Sequence, residues 1–478
     1  MTEILTPRRK SLILLVAAAT SSLIMLDTNI VAVSLPTIAR ELHAGFAGIQ
    51  WVISAYLITF ASLLLPSGSL ADLHGRRRIV LIGIALFMLS SAACGLATSA
   101  LTLEAARAVQ GIGGSMLLTS ALAIIASTFT GAERIKAYAF WGTCLGIAIT
   151  LGPIAGGIIT GTFGWRWAFL INVPVCAIFL VAARLVVPES RDEHARRLDV
   201  AGIVLFTGGL FALISALIDG NGLGWTAPTI LARLAAAIAL LAAFVVVEAR
   251  HERPMLDLTL FRNRPFIGAA FGTFGYGASA QVMIFFLPIY LQGVFGFAPL
   301  VAGFAMMPFA VPMFVAPRIA AWLLPHWSHR HALMLGLAIT LAGNLALAAL
   351  ANAASYLAVA AAMLVTGIGT GMLNPETAKA LQAQIPAGRA GMASGIGGTI
   401  RFTSLLLGVA VLGAVMTHVS RQFAVGTHLD AAAGFAAVAL TATAIAAIAA
   451  AGVATCMAER NRATNTRASE PQTIPLAE

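Results

Sequence analysis

Runs of about twenty apolar residues follow one another along almost the whole of this chain, broken only by short charged or glycine-rich interruptions. Such runs are long enough to cross a bilayer, and lipid accepts only structures that satisfy their own backbone polar groups: helices or closed barrels. The runs are continuous rather than alternating, which selects helices over barrel strands. Spans read near 12–35, 47–71, 79–99, 101–126, 136–160, 166–187, 200–219, 227–248, 266–291, 300–323, 331–351, 355–375, 394–417 and 433–456. Charged residues make up only 10% of the 478, against about 25% in soluble proteins, which excludes a soluble multidomain chain. The expected fold is all-α and polytopic, with about fourteen transmembrane helices.

The basic residues give an independent check. With the N-terminus inside, the inner segments hold most of the Lys and Arg, including Arg8, Arg9, Lys10, Arg76, Arg77, Arg78, Arg134, Arg250, Arg330 and Arg389. The outer segments keep Arg40, Arg166 and Arg421. Cytoplasmic loops are enriched in Lys and Arg, and missing or inventing one span would destroy this alternation. An even number of spans places both termini in the cytoplasm, with the chain in the cell (cytoplasmic) membrane. The net charge of +10 then reflects topology and anionic lipid, and calls for no nucleic-acid partner. Cys94, Cys144, Cys176 and Cys456 fall within spans without metal-ligand spacing, so they read as small packing residues and no metal or cofactor is expected. The first span is too long for a signal peptide, and 461–478 reads as a disordered cytoplasmic tail.

Two charged, proline-containing loops, 188–199 and 249–265, divide the spans into six, two and six. The expected organisation is a six-helix bundle over 1–198, two additional helices over 199–250, a second six-helix bundle over 251–460, and the tail. Duplicated six-span halves related by a pseudo-twofold are a common transporter plan, with the substrate site between the halves near the midplane. The fourth span of each half is glycine-rich, at Gly111, Gly113 and Gly114 and at Gly367, Gly369 and Gly371, a pattern that usually marks close helix packing. The two additional spans carry little chemistry and read as a lipid-facing appendage.

Asp27 lies within the first span. A carboxylate there must be paired, protonated or facing a wet cavity, and proton relays in transporters are a leading use of such acids. Asp27 lies roughly 14 Å below the outer end of its span and Arg107 roughly 9 Å below the outer end of the fourth, about one helical turn apart. An isolated buried charge of either sign is costly, so these two are expected to meet directly or through water. The competing partner is Glu104, three residues before Arg107 on the same helix face.

Four segments stand in order: Leu26-Asp27-Thr28-Asn29 through Pro36; Gly68-Ser69-Leu70-Ala71-Asp72-Leu73-His74-Gly75-Arg76-Arg77-Arg78; Arg107-x-x-Gln110-Gly111; and Gly152-Pro153-x-x-Gly156-Gly157 followed by Gly164-Trp165-Arg166-Trp167 through Asn172 and Pro174. Together they resemble the major facilitator superfamily, specifically its fourteen-span drug:proton antiporters. The likeness returns at Gly388-Arg389-Ala390-Gly391-Met392-Ala393-Ser394-Gly395, with Arg401 a turn or two later. It departs at Asn29 (Thr in the family), Ala32 (Asn), Leu73 (often basic) and Ala148 (Gly), none of them a charged centre. The resemblance implies a proton and substrate cavity around Asp27, Arg107, Gln110 and Asn29. It implies a cytoplasmic gating loop at Gly68, Asp72, Gly75, Arg76 and Arg77, with Asp72 latching onto the start of the thirteenth span. It also implies an antiporter signature at Gly152, Pro153, Gly156 and Gly157; a proline in mid-helix by itself predicts only a kink.

The remaining polar residues read more simply. Glu376 with Lys379 and Arg233 with Asp219 are expected structural pairs, while Gln281, Tyr290, Asn344 and Asn374 are candidates for lining a cavity. The expected function is a monomeric, proton-coupled exporter of hydrophobic or amphipathic small molecules, working by alternating access. The alternative is a proton-coupled uptake symporter for a nutrient or metabolite. A membrane-embedded enzyme would need a polar catalytic cluster within the spans, and the histidines lie at loops or span ends.

Overall fold

The computed structural model describes residues 6–191, 199–250, 256, 258–323, 326–353, 355–385, 390–422 and 428–457, and side chains for all of these except 390–394, 421, 422, 428 and 429. The expected tail, and Gly388 and Arg389 of the expected motif, lie outside the described residues. Among the described residues, fourteen helices are long and apolar enough to span a membrane. They are α1 (Pro7–Glu41), α2 (Phe46–His74), α3 (Arg76–Gly95), α4 (Ala100–Thr128), α5 (Gly131–Phe163), α6 (Trp167–Val186), α7 (Val200–Leu223), α8 (Pro228–Arg250), α9 (Arg264–Val294), α10 (Pro299–Leu323), α11 (His329–Ala349), α12 (Tyr356–Gln382), α13 (Gly395–Ser420) and α14 (Asp430–Cys456).

Local signals set several ends. Thr6 accepts from the Arg9 N–H with Pro7 in the first turn, which starts α1. Ser99 and Thr102 form a capping box at the start of α4. Gly75, with φ of 104°, turns α2 into α3 through a single residue. Three spans are interrupted. α6 breaks at Ile171 and α10 at Met306, in each case just before a proline (Pro174 and Pro308) whose ring would strike the carbonyl four residues back. α9 is interrupted by a π-helical turn over Tyr276–Gln281. α5, by contrast, runs unbroken through Pro153.

The packing repeats between the halves. In the first half α2 and α3 pack on α4 and α1 on α5; in the second, α10 and α11 pack on α12 and α9 on α13. The seams between the halves repeat as well, one formed by α2 with α13 and the other by α5 with α10. This is the pseudo-twofold arrangement of two six-helix bundles. The added helices are not a simple lipid-facing appendage. α7 lies along the α2–α13 seam, with Phe211 against Trp51 of α2 and the Asn221 amide donating to the Ala414 carbonyl of α13 at 2.6 Å, so it touches both halves. α8 packs on α7 and turns residues such as Ile238 and Val245 outward. Apolar side chains including Leu89, Ile178, Ile319 and Leu357 are exposed around the bundle, as a lipid-facing surface requires.

Candidate functional site

Asp27 is fully enclosed, and three side chains donate to its carboxylate. Arg107 Nη1 reaches Oδ2 at 2.9 Å, while Gln110 Nε2 and Asn172 Nδ2 reach Oδ1 at 3.1 and 2.7 Å. A second layer fixes the donors. Arg107 Nε donates to the Val52 carbonyl at 3.2 Å and Nη1 also to Gln110 Oε1 at 2.6 Å. Gln110 and Asn172 both donate to Ser91 Oγ, at 2.7 and 3.3 Å. The network draws on α1, α2, α3, α4 and α6. Its cost of desolvation is offset in part by hydrogen bonds from Arg107 Nε and Nη1 and by the two further donors on Asp27. Arg107 therefore pairs with Asp27; Glu104, the expected competitor, lies toward Gly48 instead.

Aromatic rings carry this network to the centre of the molecule. The Arg107 guanidinium lies 4.2 Å over the Tyr56 ring, and Tyr56 stacks on Phe60 at 5.4 Å. Phe60 meets Phe402 of the second half edge-on at 4.7 Å. Tyr56, Phe60 and Phe402 line a cavity between the halves, together with Met25, Asn29 and Gln281 among others. The cavity measures about 20 Å³, room for about one water. A drug-sized ligand needs several hundred Å³, so the halves must part to admit one.

The second half contributes a cation. Arg401 of α13 is half-buried. Its Nε donates to Gln281 Oε1 at 3.0 Å and its Nη2 to the Tyr276 hydroxyl at 3.1 Å. The guanidinium lies 4.9 Å from the Tyr276 ring centre and 5.5 Å from that of Phe402.

The other sequence-selected residues fall in two places. Asn29 lines the cavity, and its amide donates back to the Met25 carbonyl at 2.6 Å. Its Cβ occupies the space against Gly152, and Gly156 lies against Ile30, so α5 presses closely on α1. Gly157 faces the other half: a Cβ there would meet the Pro299 carbonyl oxygen at 2.7 Å and Gly303 Cα at 2.9 Å. The signature glycines thus make the crossings of α5 with α1 and α10, and the Pro153 carbonyl lies against Gly303.

The second place is the α2–α3 corner. Asp72 accepts from Arg76 Nη2 at 2.8 Å, four residues on. The Arg76 N–H donates to the Ser190 carbonyl at 2.9 Å, the Arg77 N–H to Glu189 Oε1 at 3.2 Å, and the Arg77 guanidinium to the Arg184 carbonyl. The Glu189 carboxylate fills the space a Cβ at Gly75 would need. Gly68 lies near Thr119. The expected partners of Asp72 on the thirteenth span, Gly391 to Ser394, lie outside the described side chains.

Of the four expected lining candidates Gln281, Tyr290, Asn344 and Asn374, Gln281 is the one that lines the cavity. Tyr290 donates to the Ala351 carbonyl at 2.9 Å and Asn344 to the Ser279 carbonyl at 2.9 Å. Glu376 pairs with Lys379 at 2.6 Å and with His329 at 3.4 Å, and Arg233 pairs with Asp219. Residues to which sequence reasoning assigned no individual role include Ser91, Asn172 (though it stands in the fourth motif), Glu189, Gln50 and Gln292. The two glutamines clasp the halves: Gln50 of α2 donates to the Val409 carbonyl at 3.2 Å, and Gln292 of α9 to the Val33 carbonyl at 2.9 Å. Their signal was available, since an amide within an apolar run seeks a partner.

Comparison with known proteins agrees with this geometry. The sequence model of the Major Facilitator Superfamily matches residues 17–409. The multidrug resistance protein Stp of Mycobacterium tuberculosis (strain CDC 1551 / Oshkosh) is 36% identical over 396 residues, covering 82% of this chain and 73% of that protein. The multidrug efflux pump LfrA of Mycolicibacterium smegmatis is 32% identical over 418 residues, covering 87% and 83%. The tetracenomycin C resistance and export protein of Streptomyces glaucescens is 31% identical, covering 84% and 75%. Among solved structures, the peptide transporter POT in complex with sulfate superposes with a TM-score of 0.68 at 15% identity, over 93% of this chain and 94% of that one. A bacterial homolog of the human lysosomal transporter Spinster, inward-facing and occupied, gives 0.67 at 16% identity over 95% and 97%.

Proposed function

The chain belongs to the Major Facilitator Superfamily, and from that premise we propose that it expels hydrophobic or amphipathic small molecules across the cell membrane in exchange for protons. Efflux or export stands in the names of LfrA and the tetracenomycin C protein, and multidrug resistance in that of Stp, which fits a chain of fourteen apolar helices with a cavity between its halves. We read residues 1–198 and 251–460 as the two rocking halves, with both termini in the cytoplasm and the protein working as a monomer.

Proton coupling rests on one observation: the enclosed Asp27–Arg107 pair is packed through Tyr56 against the cavity wall. Ionised Asp27 is an acceptor only, and the three side-chain donors that reach it are satisfied by that form. A proton on either oxygen turns part of the carboxylate into a donor and cancels the charge that holds Arg107. The guanidinium must then find other partners, and Tyr56, on which it lies, moves with it. Cargo pressing on Tyr56 biases the same rearrangement from the other side, so proton and cargo are linked through one element.

The test is Asp27→Asn, which keeps the shape but cannot titrate and, like a protonated Asp27, presents a donor in place of one acceptor oxygen. In everted vesicles, cargo-induced proton movement should disappear while the protein still reaches the membrane. Coupling equal to wild type would remove Asp27 from the proton path. An imposed pH gradient that drives accumulation on the cytoplasmic side would favour uptake over export.

A further inference from the structure

The two halves hold opposite electrostatic situations behind the cavity wall: Arg107 lies on Tyr56, and Arg401 bonds Gln281 and lies near Phe402, all three of them lining residues. In the first, Arg107 is neutralised by Asp27 at 2.9 Å. In the second, Arg401 has only neutral partners: Gln281, Tyr276 and the ring of Phe402. Among the described residues no carboxylate lies within ion-pair distance of Arg401. It stands about eleven residues, roughly 16 Å, along its helix from Ala390 and is half-buried. A guanidinium at that depth without a counter-charge is expensive, and such residues mark substrate pathways.

The surroundings are built around this cation. Tyr276 and Gln281 are the first and last residues of the π turn, five apart, which is the spacing that the hydrogen-bond period of a π-helix aligns. Both partners are thereby turned onto Arg401. The turn approaches α13 closely, because a Cβ on Gly277 would meet the Arg401 carbonyl oxygen at 2.8 Å. π turns concentrate at functional sites. Gln281 also lines the cavity. Its carbonyl is taken by Arg401, so its amide group is left to donate.

We propose that Arg401, Gln281 and Tyr276 form the cargo-recognition group, and that it selects amphipathic molecules bearing a single carboxylate, phenolate or enolate over cationic ones. The apolar and aromatic walls take the hydrophobic body, the Gln281 amide and the Arg401 guanidinium take the anion, and the cargo supplies the missing counter-charge. This deepens the export reading by naming the cargo class.

Binding is measured on the full-length protein in lipid nanodiscs, against protein-free nanodiscs, by dansyl fluorescence. The probes are 11-(dansylamino)undecanoic acid, its methyl ester and a dansyl-alkyl trimethylammonium of equal length. Wild type should bind the acid at least tenfold more tightly than the ammonium. Arg401→Gln should weaken the acid at least tenfold and the ester less than twofold. Gln281→Glu, which gives Arg401 a carboxylate partner and neutralises it, should abolish the preference, bringing acid and ammonium to within about threefold of each other. Equal losses for acid and ester in Arg401→Gln, or a wild-type preference for the ammonium, would overturn the proposal. If Arg401→Gln does not fold, Gln281→Glu decides alone, and an unchanged preference refutes. Efflux of the same probes from vesicles is read separately. Charge-selective binding without efflux removes the export reading and leaves the recognition group standing.

Discussion

Asp27 and Arg107 are both enclosed, at 0% and 1% side-chain exposure, so neither has water to fall back on. Removing one partner leaves an uncompensated buried charge, typically costing about 3–5 kcal/mol. Asp27→Asn with Arg107→Gln should therefore cost less than the sum of the single changes. A double-mutant cycle read by thermal unfolding of the purified protein measures the difference, and simple additivity would mean the pair is not energetically coupled. Asn172 adds a detail: its Oδ1 is buried with no donor among the described residues while its Nδ2 serves Asp27. A protonated Asp27 offers the hydroxyl that this oxygen lacks, and a flip of the amide would deliver it. At this scale the sequence was informative where charge met an apolar run, as at Asp27 and Arg107. It assigned no role to Ser91, nor to Asn172 beyond its place in the motif, because a small polar residue in a helix is common and its facing is set by packing that no spacing rule encodes.

Elements were legible to different degrees. The fourteen spans follow from length and hydrophobicity, which lipid enforces segment by segment. The breaks at Ile171 and Met306 had a readable cause in Pro174 and Pro308. The π turn had none, since Gly275 and Gly277 permit it without requiring it. The signature in α5 was legible as a pattern, and its physical role emerges only from the crossing it makes. Gly157 lies at van der Waals approach to Pro299 and Gly303 of α10, backbone against backbone, with no flexible side chain to give way. Gly157→Val must push the helices apart, and overpacking of this kind costs about 1–3 kcal/mol. Gly157→Val is expected to lower the unfolding temperature and to slow transport more than Gly157→Ala does. A valine variant matching wild type in both would show that the α5–α10 crossing need not be close.

For the molecule as a whole, the repeat of spans anticipated two halves with a cavity between them, because duplicated helices pack in duplicated ways. The conformation adopted was beyond the sequence, since it depends on a few contacts between halves whose balance is small. The structure is closed around its centre, and on the face opposite the start of the chain two amides hold it so: Gln50 to the Val409 carbonyl and Gln292 to the Val33 carbonyl. Gly413 leaves room for the Gln50 amide, whose atoms occupy the place of a Cβ there. Each such bond contributes about 1 kcal/mol net, so removing both shifts the balance toward opening on that face by roughly thirtyfold. Thr28 lines the cavity and can report on this. With Cys94, Cys144, Cys176 and Cys456 replaced by serine or alanine and Thr28→Cys introduced, a membrane-impermeant maleimide is applied to that face. Gln50→Ala with Gln292→Ala should raise the labelling rate severalfold, each single change giving less. The same labelling rate with and without the amides would mean that the helix seams alone keep the halves together.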